Sequence, residues 1–386
     1  MRPGKNNTRI TRFCNDRSRV MRFKPGKIAL AIAAPVFAAV FSLAVSSASL
    51  IATNKSPREA FALMWEYGSG AGSLMEAVNL ATSYYIAAIA IALTFRAGLF
   101  NIGVEGQLRL GSLFAAYFGA MIVLPPVLHI LAIFLIAMFI GGLWAAIAAY
   151  MKVKRGVSEV ISTIMLNSVA GGLSAYLLSK HFMVKVEGSN DLATKPLPAS
   201  GQFPDLMPAL KKLGVEEQPG GGVYGMLIIA IILGIAFWFV VNRTRFGFEL
   251  RSSGMNPIAA RVSGVNSKKM TFISLVASGA IAGLAGLPTL LGDTYSYTLG
   301  FRGGIGFTAI AIALLGRNTA LGMAISALLF GFLEVASRTL ELIDIAPETY
   351  VIMQGSILLS AVIAYEVVRR YQLTLQSHAL AKAGDK

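Results

Sequence analysis

The stretch GLFNIGVEGQLRLG, Gly98–Gly111, sets Asn101, Glu105, Gln107 and Arg109 inside a long apolar region. A carboxylate at such a place has two chemical uses. It can face a polar solute or carry a cation, because ionisable groups in a membrane are costly and mark pathways. It can equally be a structural ion pair, since Glu105 precedes Arg109 by four residues, the favourable order on a helix. Both readings stand. Glu334 and Arg338 repeat the arrangement, so each good candidate for an ion carrier has an arginine at hand, which argues against ion-coupled transport. Other chemistries find little support. His129, His181 and His378 are far apart, without the spacing of a zinc site. Cys14 is the single cysteine, so no intrachain disulfide forms. Gly4-Lys5 and Gly26-Lys27 lack the upstream glycine and following Ser or Thr of a phosphate loop. The residues predict no enzyme, no metal and no cofactor. If ATP drives the protein, another chain hydrolyses it.

What must position these residues is a membrane domain. Of 386 residues, 55% are hydrophobic and 14% charged, where a soluble domain carries about a quarter charged residues. The mean hydropathy is +0.65. The prediction is an all-α polytopic membrane protein with about ten transmembrane helices near 28–52, 76–95, 100–124, 127–150, 157–179, 223–242, 269–291, 297–316, 319–338 and 350–368. The eighth is the weakest, its clean apolar core running only from Ile305 to Gly316. Residues 1–27 form a basic tail with nine Lys and Arg against Asp16 alone. That excess is assigned to the cytoplasmic membrane surface and not to nucleic acid, because an apolar span follows at once. The run from Ile28 to about Ala52 exceeds the ~7–15 residues of a signal core, so it is read as a retained anchor.

Loop charge sets the orientation. Segments predicted inside carry Lys152, Lys154 and Arg155, then Arg243, Arg245, Arg251, Arg261, Lys268 and Lys269, then Arg317, then Arg369 and Arg370. Segments predicted outside are balanced or acidic, as at Glu341, Asp344 and Glu348. Both termini therefore lie in the cytoplasm, with the transmembrane domain spanning 28–370 and a tail at 371–386. The outer loop 181–222, rich in Pro and Gly, is expected to be a flexible spacer or to fold against an external partner. The inner loop 243–269 contains SSGMNPIAARVSG, where Asn256 and Pro257 start a two-turn helix that Gly264 closes. Gly141-Gly142, Gly171-Gly172 and Gly279-x-x-x-Gly283 fit close backbone packing.

Gly98, Gly103, Gly106 and Gly111 weaken continuous helix where the second span meets the third. Phe95-Arg96-Ala97-Gly98-Leu99 returns as Phe301-Arg302-Gly303-Gly304-Ile305, 206 positions on and on the predicted opposite side of the bilayer. Inverted, pseudo-symmetric halves would place glycine-broken segments in this way, and such segments point to a permeation site.

GLFNIGVEGQ at Gly98–Gln107, FGFELRSSGMNPIAARVSGV at Phe246–Val265 and GFTAIAIALLGR at Gly306–Arg317 resemble the hallmarks of bacterial ABC importer permeases of the branched-chain amino acid and simple sugar group, nucleoside-type branch. The resemblance runs from about Met75 to Arg370. It implies an importer of nucleosides or related neutral solutes in the bacterial inner membrane, with simple sugars, branched-chain amino acids or an ion-coupled carrier as alternatives. It further implies a second permease subunit, two ATPase subunits and an external substrate-binding lipoprotein. Gly254, Asn256, Pro257, Ala259, Ala260, Arg261 and Gly264 match the positions that couple to the ATPase. Asn101, Glu105, Gln107, Asn167 and Thr308 are placed near the translocation path. The arginine-rich tail and the long outer loop depart from the family pattern.

Overall fold

The computed structural model describes residues 40–185, 192–212, 214, 222–346, 349–360 and 363. The two terminal tails, the start of the first predicted span and most of the end of the last lie outside these residues. The fold is α-helical. In chain order the main helices are α1 (Val40–Ala52), α2 (Pro57–Gly68), α3 (Ala71–Arg96), α4 (Val104–Met121), α5 (Pro126–Arg155), α6 (Glu159–Leu177), α7 (Met226–Arg243), α8 (Arg245–Met255), α9 (Pro257–Val262), α10 (Ser267–Gly283), α11 (Ile305–Leu315), α12 (Ala320–Ser337) and α13 (Thr349–Ser360). Each of the ten predicted spans overlaps one of them, the eighth only over its clean apolar core since 297–304 is not helical, and the first and last in their described parts. Among the described residues six helices, some continued by a π- or 3-10 turn, are long and apolar enough to cross a bilayer, and α1, α11 and α13 are shorter apolar helices. The chain is a polytopic membrane protein.

Which helices face lipid is written in their side chains. From Leu80 to Thr94, α3 is buried on almost every side, as expected of a helix apolar all round at the centre of a bundle. By contrast α5 exposes Leu131, Leu135, Phe139, Leu143 and Ile147 as one row at four-residue spacing. In water such a stripe would drive aggregation; in a bilayer it meets acyl chains. The start of α5 uses Pro126 in its first turn, and its end combines Lys152, Lys154 and Arg155 with a left-handed Gly156 at φ +70°. Those charges complement the negative end of the helix dipole.

Two long-range helix pairs join early and late parts of the chain. α3 packs along α12, and α10 packs along α5. At the second crossing a Cβ on Gly141 would collide with the carbonyl oxygen of Gly279, and one on Gly283 with that of Ala137. Lipid gives apolar groups no reason to leave it, so this backbone contact supplies the association. Gly171 and Gly172 behave differently, with no atom of the described residues within 4 Å of a would-be Cβ. Among the described residues the close packing expected of that pair is absent, because α6 turns it toward an open face. Gly279→Ala is accordingly expected to destabilise the chain by about 1–3 kcal/mol through overpacking, and Gly171→Ala to leave it unchanged. Thermal melts of the two variants in one detergent read the contrast.

The Pro/Gly-rich loop is neither a free spacer nor an outlying module in its described part. β1 (Met183–Lys185) and β2 (Leu192–Thr194) pair antiparallel, and the chain after them lies along 291–298. Thr194 N–H donates to Tyr297 O at 2.9 Å, Leu197 N–H to Tyr295 O at 2.8 Å and Phe203 N–H to Leu291 O at 3.0 Å. Interrupting a helix orphans backbone groups that must find partners, and this loop provides them. Buried His129 pins it, with Nδ1 at 2.8 Å from Ser200 Oγ and Nε2 at 2.8 Å from Gly119 O.

Candidate functional site

The fourth residue of each repeat copy does the same thing to the backbone. Gly98 ends α3 at φ +69° and Gly304 precedes α11 at φ +89°, a left-handed region open chiefly to glycine. Gly98 touches Gly254 of α8, and the second copy follows the 291–298 segment that pairs with 193–203.

Between the two bends, α4 and α11 begin side by side. A Cβ on Gly306 would stand 2.5 Å from Glu105 N, so backbone meets backbone there. Into this junction Glu105 sends its carboxylate. Oε1 accepts from Gly304 N–H at 2.9 Å, Oε2 accepts from Gly306 N–H at 2.9 Å, and Arg109 Nη2 lies 3.2 Å from Oε1. The first amides of a helix have no internal acceptor and carry its positive dipole end. Glu105 satisfies two of them from across the junction, so the predicted Glu105–Arg109 pair exists within a larger arrangement.

Asn101 is fully buried. Its Nδ2 donates to Gln107 Oε1 at 3.0 Å and Ser278 Oγ at 2.9 Å, while Oδ1 accepts from Gly103 N–H at 3.0 Å and Gln107 Nε2 at 3.2 Å. Ser278 Oγ–H in turn donates to Ala90 O at 2.6 Å, joining α10 to α3. Asn167, half-buried on α6, donates to Ile102 O at 2.8 Å and accepts from Gly106 N–H at 2.9 Å. Thr308 sits in the first turn of α11, half-buried, its N–H bonded to Gly304 O at 3.0 Å. These five predicted residues are therefore gathered around the two interruptions.

The pairing expected between Glu334 and Arg338 does not form. Glu334 turns inward, accepting from Tyr84 OH and pairing with Arg302 at 3.2 Å, while Arg338 reaches Glu76 at 2.6 Å. Tertiary partners outbid a helical neighbour because Glu334 lies on the buried face of α12.

The second group, at 254–264, forms the short helix the sequence predicts. Asn256 Oδ1 caps α9 through Ile258 N–H at 3.0 Å and Ala259 N–H at 3.1 Å, and Pro257 follows in the first turn. At its end Gly264 takes φ +82°. Val265 N–H then reaches Ala260 O at 2.9 Å and Gly264 N–H reaches Arg261 O at 3.0 Å, a Schellman closure. Ala260 is buried with Val265 and Met270, whereas Ala259 and Arg261 are exposed. Gly254 lies against the first interruption, where an added Cβ would stand 2.5 Å from Arg96 O. The residues not anticipated are the most conspicuous here: Met255, Ile258 and Val262 are 82%, 73% and 87% exposed. Ile258 and Val262, four apart, share one face of α9, a signal present in the sequence, and Met255 ends α8 just before it.

Apolar outer faces, a pair of interrupted helices meeting inside the bundle and a small apolar elbow at one end define a multi-pass membrane protein of the transport class. The family model described as branched-chain amino acid transport system / permease component matches residues 73–362, and the chain belongs to that family. It is an ABC transporter permease, a membrane subunit and not a catalytic one. It is 33% identical to the glucose ABC transporter permease protein TsgB13 of Haloferax volcanii over 89% of this chain and 90% of that one. It is 32% identical to the guanosine ABC transporter permease protein NupP of Bacillus subtilis over 80% and 86%. The nucleoside ABC transporter permease protein NupB of Lactococcus lactis is 27% identical over 91% and 97%.

Proposed function

We propose that this permease is one half of the membrane gate of an ATP-driven importer for nucleosides or related neutral solutes. The observation that carries the reading is the elbow: α9 projects an apolar face from the end of a membrane helix while Gly254 beside it rests on the Gly98 bend. A push on that face by an ATPase subunit has a direct backbone route to the first interruption. Two ATPase subunits would drive the gate, and a second permease would complete the path. An external binding lipoprotein would deliver solute, in the inner membrane of a bacterium.

Inverted halves are supported by the exchanged packing of α3 with α12 and α10 with α5, and by left-handed glycines at matching motif positions. The excess of Lys and Arg in 243–269 puts the elbow in the cytoplasm, and alternation from there puts both termini on that side. In this reading Asn101, Glu105 and Gln107 act on the path by holding its interrupted backbone. Asn167 and Thr308, partly exposed, offer it polar groups, and the open face of α6 with Gly171 and Gly172 receives the second permease. The charges at the junction are mutually paired, which suits a neutral solute. Nucleoside and monosaccharide both fit, as the names of the relatives do.

Proteoliposomes containing the chain with its ATPase and permease partners and the binding lipoprotein test the proposal. Guanosine uptake is expected to require ATP and to survive collapse of ion gradients. Competition by glucose alone would reassign the substrate to sugars. Uptake driven by a proton or sodium gradient without ATP would overturn the mechanism.

A further inference from the structure

A crevice of about 720 Å³ opens sideways between α3, α7 and α12, within the ~300–1,000 Å³ typical of small-molecule clefts. Its walls are apolar and face the bilayer: Ile231, Ile235, Trp238 and Leu321 are 51%, 62%, 47% and 74% exposed. Its inner end is cationic. Arg96 lines it, spending Nη2 on Asn318 O at 2.7 Å, while its buried Nε has no hydrogen-bond partner among the described residues. Asn242 and Thr319 add polar groups beside it. Arg243 stacks over Trp238 at 5.5 Å, carrying a second positive charge to the rim. The neighbouring charge that bears on Arg96 is Arg251, also positive, and the one acid of α8, Glu249, is taken by Arg245 at 2.8 Å. Among the described residues neither Arg96, Arg243 nor Arg251 has a carboxylate within ion-pair distance.

A part-buried guanidinium without a counter-charge is costly, and an anion that arrives with the surroundings offsets that cost. We propose that the crevice is a binding site for an anionic glycerophospholipid, its phosphate at Arg96 and Arg243 and one acyl chain along Ile231, Ile235 and Leu321. Arginine at the inner end of a groove between membrane helices is the chemistry that selects acidic headgroups, and Trp238 is the interfacial residue that marks headgroup depth. The site needs only that the chain be embedded in lipid, so it stands apart from the transport reading.

The test is lipid retention. The full chain is extracted from vesicles of equal phosphatidylglycerol and phosphatidylcholine, and the lipid carried through purification is counted by mass spectrometry. An enrichment of phosphatidylglycerol of about tenfold is expected, the order that one or two such arginines supply. The Arg96→Gln/Arg243→Gln pair should abolish the preference. Ala324→Phe, which fills the crevice and leaves every charge in place, should lower the total lipid retained and the headgroup preference together. Equal retention of the two lipids by the native chain, or a preference that survives both variants, would overturn the site. So would efficient cross-linking from Leu321→Cys to a second permease subunit, which would show the crevice covered by protein.

Discussion

The Ile258→Glu/Val262→Glu permease is expected to insert and fold normally and to lose its ATPase subunits. Both side chains are largely exposed, at 73% and 87%, so nothing inside the protein depends on them. The α9 caps, at Asn256 and at the Gly264 turn, are untouched. What the change removes is apolar surface available to a partner's groove, replaced by charges that would have to be desolvated on docking. Taking ~2 kcal/mol for each apolar side chain that no longer becomes buried, affinity should fall about a thousandfold. Co-purification of a tagged ATPase subunit, alongside a thermal melt of the permease, reads both halves of the expectation. Retained complex and normal coupled uptake would remove the elbow from the mechanism. Gly264→Glu is a poorer probe, because φ +82° at that position strains any side chain and undoes the closure of α9 itself.

The contrast between those two variants shows what was legible in the sequence. Asn256, Pro257 and Gly264 announced the helix because capping and helix closure are local, decided within a few residues. The ten apolar stretches were legible for a related reason: a bilayer imposes length and composition on each segment separately. The paired FRxG copies foretold two glycine-broken segments, and the structure adds that each breaks at a left-handed glycine. What failed was long-range. The i,i+4 rule paired Glu334 with Arg338, yet a buried acid in a bundle takes whichever cation the fold brings to it, here Arg302 with Tyr84. Nothing local says that 192–203 will satisfy the backbone of 291–298. Gly171-Gly172 looked the same as Gly141 on paper. Only the packing shows that one pair faces outward and the other glycine meets a neighbouring backbone. Met255, Ile258 and Val262 were overlooked for another reason, since apolar residues in an apolar protein carry little contrast until their exposure is known.

Glu105 gives the second large effect. Its carboxylate is buried, and it holds two amides at the start of α11 while balancing Arg109. Glu105→Ala would orphan both N–H groups and leave Arg109 beside the positive end of a helix with no counter-charge. Removing one partner from a buried pair typically destabilises by about 3–5 kcal/mol, and Arg109 is open enough to recover part of that through water, so a loss of about 3 kcal/mol is expected. Glu105→Gln keeps the shape and one acceptor, and should fall between the native chain and the alanine variant. Melting temperature in detergent and the fraction assembled with the other subunits measure this series. The same variants separate the two readings of the acid. As a clamp on the junction, Glu105 controls how much functional complex forms, and the surviving complexes retain the native KM for solute. If Glu105→Gln instead melts as the native protein does while KM rises, the carboxylate faces the solute and the clamp is secondary.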